Sequence, residues 1–299
     1  MLKKLFPLLV VLAIAASANA ALLAYYNFGT STPTTANQGT AGTAADGVLM
    51  NGATIVDIDT SSGGVEWVLQ LSNDATNSGF ANHQYMNITN GDDTWYDNAI
   101  GTPLGARTYA AWVRMDTDTT QTWSMFMSKG YETTLALGAG TPQNETDQIS
   151  FSYQTGIASW SPLKGKVSAM GDTYWIHVVA TIDGEDYKTA SLYINGMLQD
   201  SRQTWGPLYQ NDLDLLIGAE PNRTAYDYAW NGMLDDVRIY DEHFDAQGVL
   251  DLFNSTYSTS RPAINHRPFD GETSVPLNVN LVWNDINASP YDVYFGTDF

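Results

Sequence analysis

Two carboxylates near the middle of the chain have a spacing that could do acid and base chemistry. Glu145 and Asp147 are separated by one residue, so a β-strand would place both side chains on one face. Glycoside hydrolysis needs such a pair, one carboxyl group as nucleophile and the other as acid, about 5 Å apart in retaining enzymes. The chain contains only seven glutamates, so few other residues could complete or replace this pair.

Aromatic side chains in polar segments that contain glycine and proline are suited to binding sugars. The C–H groups of a sugar lie on an aromatic ring while Asp, Asn and Gln bind its hydroxyl groups, and loops on a rigid sheet are where such residues gather. Aromatic residues make up 12% of the chain, so most of them are expected in the core. The candidate ligand-binding residues are Trp160, Trp205, Tyr226, Tyr228 and Trp230.

The composition excludes several classes of function. The 299 residues include 13 Lys and Arg against 33 Asp and Glu, a formal charge of -20, and no cysteine. A charge this negative would repel phosphate backbones and anionic lipids, so we expect neither nucleic-acid binding nor electrostatic docking to membranes. Without cysteine there are no disulfides, thiol nucleophiles or zinc–thiolate sites.

The elements that must position these residues are β-strands. Short runs rich in Val, Ile, Tyr, Trp and Thr alternate with clusters of Gly, Asn and Asp, which predicts an all-β fold. Within 175–182, both faces of the predicted strand are partly apolar, and Asn195-Gly196 supplies a hairpin turn. The predicted strands are 22–28, 84–89, 108–114, 124–128, 149–153, 175–182, 190–194, 213–217 and 233–240.

One short helix is predicted after the last of these strands. Asp245 can accept hydrogen bonds from the first-turn amides, and Phe244 can pack against Val249 across that turn. Val249, Leu250 and Phe253 give the helix an apolar stripe.

The ends of the sequence predict export and a second module. Residues 1–20 have two lysines, an apolar run and the cleavage sequence Ala18-Asn19-Ala20, which is typical of a signal peptide. We therefore expect a secreted, bacterial protein without membrane insertion after cleavage. The main domain is expected at 21–257, a polar linker at 258–262, and the truncated start of another module at 263–299.

Eight motifs, in order, resemble the laminin G-like jelly rolls of the concanavalin A-like lectin and glucanase superfamily. They are Leu23-Ala24-Tyr25-Tyr26-Asn27-Phe28, Asp46-Gly47-Val48-Leu49 with Asn51-Gly52, Thr108-Tyr109-Ala110-Ala111-Trp112-Val113, Ser128-Lys129-Gly130, the run 175–184, Leu192-Tyr193-Ile194-Asn195-Gly196, Leu216-Ile217-Gly218-Ala219 and the run 231–240. The tail at 263–299 resembles the start of a fibronectin type III or Ig-like module.

The resemblance implies a two-sheet antiparallel jelly-roll sandwich with one short helix near its C-terminal end. Related glycosidases carry Glu-x-Asp-x-(x)-Glu on one strand, whereas here the second glutamate is missing after Glu145 and Asp147. The expectation is therefore a protein that is not an enzyme.

The resemblance also implies a structural Ca²⁺, because related jelly rolls hold an ion where the last strand meets the N-terminal region. Strand alternation would set Asp235 on the inner face with Val237 and Ile239, where an unpaired carboxylate is costly. Asp235 is the first predicted ligand, with Asp46 and the backbone near Asn27 as companions. A carboxylate that merely accepts backbone amides is the alternative, and Asp236 is expected to be a surface charge.

The function expected from these observations is non-catalytic recognition of a glycan or another extracellular surface ligand, within a larger modular protein. Two alternatives stay open: a structural or spacer domain of an adhesin, and a binding appendage of a glycoside hydrolase whose catalytic domain lies outside this chain. The fold alone does not separate them.

Overall fold

The computed structural model describes residues 21–29, 32–59, 65–73, 79–89, 94–96, 105–116, 123–130, 135–140, 148–153, 163–166, 175–183, 189–203, 211–221 and 228–256. The strands in these residues are β1 (Leu22–Tyr26), β2 (Val48–Met50), β3 (Thr54–Asp59), β4 (Val65–Leu71), β5 (Tyr85–Asn87), β6 (Arg107–Met115), β7 (Trp123–Ser128), β8 (Leu135–Gly140), β9 (Gln148–Tyr153), β10 (Leu163–Lys166), β11 (Ile176–Ile182), β12 (Thr189–Ile194), β13 (Met197–Gln203), β14 (Leu216–Ile217) and β15 (Gly232–Tyr240). The α-helix is α1 (Ala246–Thr256), and short 3-10 turns cover Gly42–Ala45 and Phe80–Asn82.

The strands form two antiparallel sheets. The eight-stranded sheet has the order β13-β12-β11-β6-β15-β4-β3, with β1 also paired to β15. The seven-stranded sheet has the order β10-β9-β8-β7-β14-β5-β2. The predicted all-β sandwich with one helix near its C-terminal end is confirmed.

The main core lies between the sheets and follows strand alternation. On β11, Ile176, Val178, Ala180 and Ile182 all belong to this core, whereas Val179 packs on the opposite face of the sheet. On β9, Ile149 and Phe151 point inward, so the residues between them point outward. The apolar pattern predicted for β11 is confirmed.

Helix α1 covers the outer face of the eight-stranded sheet. Val249 and Leu252 pack on a cluster that includes Val179, while Phe253 packs on Trp112. The amide of Gly248 donates to Asp245 Oδ1 at 2.8 Å, and Phe244 packs in the cluster of Val249. The predicted cap and staple are confirmed. On the outer face of the seven-stranded sheet, the only helical element that the described residues place is the short 3-10 turn of Phe80–Asn82, whose Phe80 ring stacks on Tyr85 at 5.4 Å and packs in the same cluster as Leu216.

The hairpin between β12 and β13 turns at Asn195 and Gly196, as predicted. Their φ angles are 52° and 76°, the left-handed values that a two-residue turn of this kind requires. Asn195 also holds β11, because its amide donates to the carbonyl of His177 and its Oδ1 accepts from the amide of His177, each at 2.7 Å.

Strand β15 changes partners halfway along one edge. Gly232–Leu234 pair with β4, and Val237–Tyr240 pair with β1. Between them the register against β6 shifts, and Asp236 has a φ of 52°. This β-bulge resets the alternation, so Leu234, Val237 and Ile239 all reach the core.

Segment 34–41 covers the edge of β1 that faces away from β15. The amides of Thr34, Gln38, Thr40 and Ala41 donate to carbonyls of Phe28, Tyr25, Leu22 and Leu23. The side chain of Asn37 bonds in both directions, accepting from the amides of Tyr25 and Gly39 and donating to three carbonyls. The first strand of the sheet therefore has hydrogen-bond partners on both edges.

The two ends of the β1 and β15 pair are also joined. The amide of Ala21 donates to Asp241 Oδ1 at 2.7 Å, and the amide of Asp241 donates to the carbonyl of Ala21 at 3.2 Å. The start of the first strand thus lies against the end of the last.

The predicted signal peptide, linker and second module lie outside the described residues. In the part of the chain that the structure describes, no helix combines the length and apolar character needed to span a bilayer.

Candidate ligand-binding face

A tyrosine and a buried carboxylate lie together on the outer face of the seven-stranded sheet, which we call the seven-stranded face. Tyr228 is half-buried and packs on Met125 and Ala136, which point outward from β7 and β8. Its carbonyl accepts from the amide of Glu220 at 3.1 Å. Glu220 is buried, and its Oε2 accepts a hydrogen bond of 2.8 Å from Ser128 Oγ. The backbones of Tyr228 and Glu220 are thus joined, and both side chains lie over β7.

A second polar group lies where β5 and β14 meet on the same face. Asp214 is half-buried, and its two carboxylate oxygens accept from Asn87 Nδ2 at 2.8 Å and Thr89 Oγ1 at 2.9 Å. Burial, together with the negative charge of Asp214, raises the pKa of Tyr85. This tyrosine therefore stays neutral and can act as a hydrogen-bond donor at neutral pH.

Two strand pairs connect these polar groups. Leu216 of β14 pairs with Ser128 on one side and with Asn87 on the other. With neighbouring strands about 4.8 Å apart, the two polar groups lie on the same face of the sheet, on either side of the buried Leu216. Carboxylate, amide and hydroxyl groups beside an aromatic ring are the residue types that bind the hydroxyl and C–H groups of a sugar.

The structure separates the aromatic residues predicted to bind a ligand. Tyr228 lies on the seven-stranded face, as described above. Trp230 instead lies in the main core with 0% exposure and makes an edge-to-face contact with Phe126 at 5.4 Å, so it is not part of the binding face. Trp160, Trp205 and Tyr226 lie outside the described residues, as do Glu145 and Asp147.

The inner-face placement predicted for Asp235 is wrong. The bulge puts Val237 inward, and Asp235 pairs opposite Trp112, whose ring packs under α1 on the outer side of the eight-stranded sheet. Asp235 is buried, and its Oδ1 accepts from the amide of Asp236 at 2.7 Å. Alternation failed here because it assumes one residue per pleat, and the bulge inserts an extra one.

The two companions predicted for Asp235 are bound to the segment that covers β1. Asp46 Oδ1 accepts from the amide of Asn37 at 2.8 Å, and Asn27 Oδ1 accepts from Gly29 and from the side chain of Gln38. Burial, together with the negative charge of Asp46, raises the pKa of Tyr26, whose side chain points into the core. Among the described residues, no three His, Cys, Asp or Glu side chains form a group that could hold a metal ion.

Asp236 is not the surface charge that the sequence predicted. It is buried, and it forms an ion pair with Arg238 at 2.9 Å. The guanidinium of Arg238 lies 4.3 Å from the ring centre of Tyr25 on β1. Burial and the nearby Asp236 carboxylate raise the pKa of Tyr25 to about 12.

Sequence reasoning missed the polar residues of the seven-stranded face. Asp214 and Glu220 lie on either side of Leu216-Ile217-Gly218-Ala219, a motif used above only for the resemblance. Ser128 belongs to the motif Ser128-Lys129-Gly130, and nothing in that motif indicates that its hydroxyl group binds Glu220. The two acids that flank this motif, Asp214 and Glu220, were a signal of a polar site. Their position on one sheet face depends on the pairing of β14 with β5 and β7, which are distant in sequence.

A two-sheet antiparallel sandwich with one α-helix packed on a sheet is a concanavalin A-like architecture. The chain belongs to the concanavalin A-like lectin/glucanases superfamily, whose laminin G-type family model matches residues 80–249. Among curated proteins, none matches the chain in sequence.

Solved structures with the same fold include domains that bind carbohydrate. One is domain 4 of AbnA, an extracellular GH43 arabinanase from Geobacillus stearothermophilus, in complex with arabinotriose, with 16% identity, a TM-score of 0.52 and coverage of 78% of this chain and 98% of that one. The binding domain of Paraclostridial Mosquitocidal Protein 1 has 13% identity, a TM-score of 0.56 and coverage of 79% and 52%. The binding domain of Botulinum neurotoxin DC, in complex with SialylT, has 12% identity, a TM-score of 0.53 and coverage of 79% and 51%. At these identities the likeness concerns the fold.

Proposed function

We propose that this protein is a secreted, non-catalytic recognition module that binds carbohydrate through the seven-stranded face. The observation that carries the proposal is the position of the half-buried Tyr228 and Asp214 on the seven-stranded face, on the side of the sandwich opposite to α1. The carboxylate of Asp214 is held by hydrogen bonds from Asn87 and Thr89, so a ligand would meet an acceptor that is already oriented, which lowers the cost of binding. The complexes of the arabinanase domain and the neurotoxin domain with sugars support a glycan as the ligand class.

A role as the accessory domain of a glycoside hydrolase is the second candidate. It is supported by the likeness to the arabinanase domain, since this chain spans 98% of that domain. In such a protein the module would hold a polysaccharide near a catalytic domain elsewhere. The chemistry proposed for the seven-stranded face is the same in both cases.

Calcium binding through Asp235 is a separate proposal. Carboxylate and amide oxygens such as those of Asp235, Asp46 and Asn27 are the ligand types that Ca²⁺ prefers. It is supported by the burial of Asp235, because a buried carboxylate requires donors or a cation.

Carbohydrate binding is tested with the purified protein and a panel of oligosaccharides that includes arabinotriose and sialylated glycans, by calorimetry. We expect Tyr228→Ala to weaken binding about tenfold or more, as for an aromatic residue at the centre of an interface. Asp214→Asn should also weaken binding, because one acceptor oxygen is replaced by a donor.

The matched control is Asp251→Asn, which alters an exposed carboxylate of α1 on the other side of the sandwich and should leave affinity unchanged. Failure of the parent protein to bind any glycan would refute the proposal. Equal affinity of the parent, Tyr228→Ala and Asp214→Asn would move the binding site to another surface.

A further inference from the structure

Tyr228 belongs to a short antiparallel stem that follows β14. In this stem Ala219 pairs with Ala229, and the amide of Glu220 donates to the carbonyl of Tyr228 at 3.1 Å. One end of the stem is fixed because the side chain of Trp230 is buried in the main core. The position of Tyr228 over β7 and β8 therefore depends on what holds the other end, at Glu220.

A serine at the end of β7 holds the side chain of Glu220. The amide of Gly130 donates to Ser128 Oγ at 3.1 Å, and Ser128 Oγ lies 2.8 Å from Glu220 Oε2. An ionised carboxylate only accepts hydrogen bonds, so the hydroxyl hydrogen of Ser128 is directed to Glu220. Hydrogen bonds to a charged group are among the stronger ones in proteins. A chain of hydrogen bonds, which we call the Ser128–Glu220 relay, thus runs from β7 to the carbonyl of Tyr228.

Neither residue of the relay can touch a ligand. Ser128 is 0% exposed and Glu220 is 2% exposed, whereas Tyr228 is half-buried. Without the Ser128 hydroxyl, the buried carboxylate would lose a donor, and a buried charge with fewer hydrogen bonds is costly. Glu220 would then shift towards solvent, and the backbone of Tyr228 would move with it.

We propose that Ser128 and Glu220 are positioning residues, which hold Tyr228 in its ligand-binding position before the glycan arrives. This inference rests on the proposed function. A ring that is already in place loses little freedom on binding, and such preorganisation raises affinity without a new contact. The affinity of the seven-stranded face is therefore set in part by two side chains that the ligand never reaches.

The test is a double-mutant cycle between Ser128→Ala and Tyr228→Ala. Affinity is measured by calorimetry for arabinotriose and for each other oligosaccharide of the panel that the parent binds. Ser128→Ala should weaken binding about 2- to 10-fold, the cost of ordering one side chain at an interface. In the Tyr228→Ala background the same change should have no further effect, because the ring that the relay positions is absent. Ser128→Thr keeps the hydroxyl group and should restore the affinity of the parent.

Two further variants separate positioning from a general loss of stability. Ser191→Ala is the matched control, since it removes another buried hydroxyl group, on the opposite sheet, that is bonded to Ser201 at 2.9 Å. This variant should keep full affinity. Glu220→Gln tests the relay even if Ser128→Ala fails to fold. Its amide oxygen can still accept from Ser128, so affinity should stay within about twofold of the parent. A tenfold loss in this variant would assign the effect to the charge of Glu220 and overturn the inference.

Two results of the cycle would overturn the inference while the proposed function stands. One is a lower melting temperature of Ser128→Ala with unchanged affinity, which would make the relay purely structural. The other is an equal loss from Ser128→Ala in the parent and in the Tyr228→Ala background, because Ser128 would then act independently of the ring. A parent that binds no glycan would refute the proposed function and this inference together.

Discussion

Asp236 binds the guanidinium of Arg238 through a single oxygen, accepting from Nε at 3.0 Å and from Nη2 at 2.9 Å. In a regular strand, residues two apart have their Cα atoms about 7 Å apart. The left-handed φ of Asp236 bends the backbone at the bulge, and the two residues share a site that also contains the Tyr25 ring. The bulge and the ion pair are thus parts of one arrangement that joins β15 to β1.

Replacement of Asp236 by glycine should destabilise the fold by about 3 kcal/mol. Glycine tolerates the left-handed φ, so the lost stability comes from removal of the Asp236 carboxylate. The guanidinium of Arg238 would stay mostly buried without its partner charge. The measurement is the free energy of unfolding from urea denaturation.

The control for that variant is Asp200→Gly, which removes an ion pair of the same spacing in a more exposed place, together with a 3.3 Å hydrogen bond from the amide of Lys164. Asp200 pairs with Arg202 at 2.9 Å, and the arginine side chain is 42% exposed there. Exposed pairs contribute about 0 to 1 kcal/mol, so the loss should be much smaller. Equal losses in both variants would show that burial of the Asp236 pair has no special weight.

Alkaline pH should unfold the protein partly through Tyr25. Its pKa is raised to about 12 in the folded protein, against about 10 in an unfolded chain. Above pH 10 the unfolded state loses this proton first, so stability is fully present below pH 10 and falls as pH rises towards 12. In Tyr25→Phe this part of the decline should disappear, measured as the slope of unfolding free energy against pH. An unchanged slope would assign the decline to other tyrosines.

Asn37→Ala should cost about 3 kcal/mol of stability and expose the β1 amides to hydrogen exchange. Its side chain makes five hydrogen bonds to the backbone around β1, each worth about 1 kcal/mol or less. Thr40→Ala is the control, since its hydroxyl makes a single bond, to the carbonyl of Leu22 at 3.2 Å. Similar exchange of the Tyr25 amide in both variants would contradict a special role for Asn37.

Calcium is predicted to raise the melting temperature through Asp235. An ion that binds only the folded state adds about 2.7 kcal/mol at a hundredfold excess over its dissociation constant, which corresponds to several degrees for a domain of this size. The test is a melting series in calcium and in EDTA. Asp235→Asn should respond little, whereas Asp251→Asn should respond like the parent. Identical melting points of the parent in the two media would refute the prediction.

Alternation and turn chemistry predicted much of the fold because those rules act locally. The β11 pattern and the Asn195-Gly196 hairpin were both readable, since each depends on neighbouring residues only. Six observed strands were not among those predicted: β2, β3, β4, β8, β10 and β13. Of these, β8 is rich in glycine and alanine and β13 is largely polar, so neither shows a strand pattern.

The candidate site was harder to predict because it depends on which strands become neighbours. Tyr228 was identified from its residue type, but Trp230, two residues later, has the same kind of surroundings in sequence and lies in the core. Because of the bulge at Asp235 and Asp236, the carboxylate of Asp235 lies on the outer face of the sheet and not on the predicted inner face. Nothing in the sequence marks that bulge except the tolerance of Asp for left-handed φ.

The joined ends of β1 and β15 bring the start of the module beside the end of its last strand. Ala21 and Asp241 are hydrogen-bonded in both directions, so the chain enters the sandwich next to the point where it leaves the last strand. Adjacent entry and exit points are what permit circular permutation and the placement of a domain within a loop of a host protein. Here residues 242–256 carry the chain on from that point to the end of α1, so in a graft of residues 21–256 the flank after Thr256 is the one that would have to be fitted to the host.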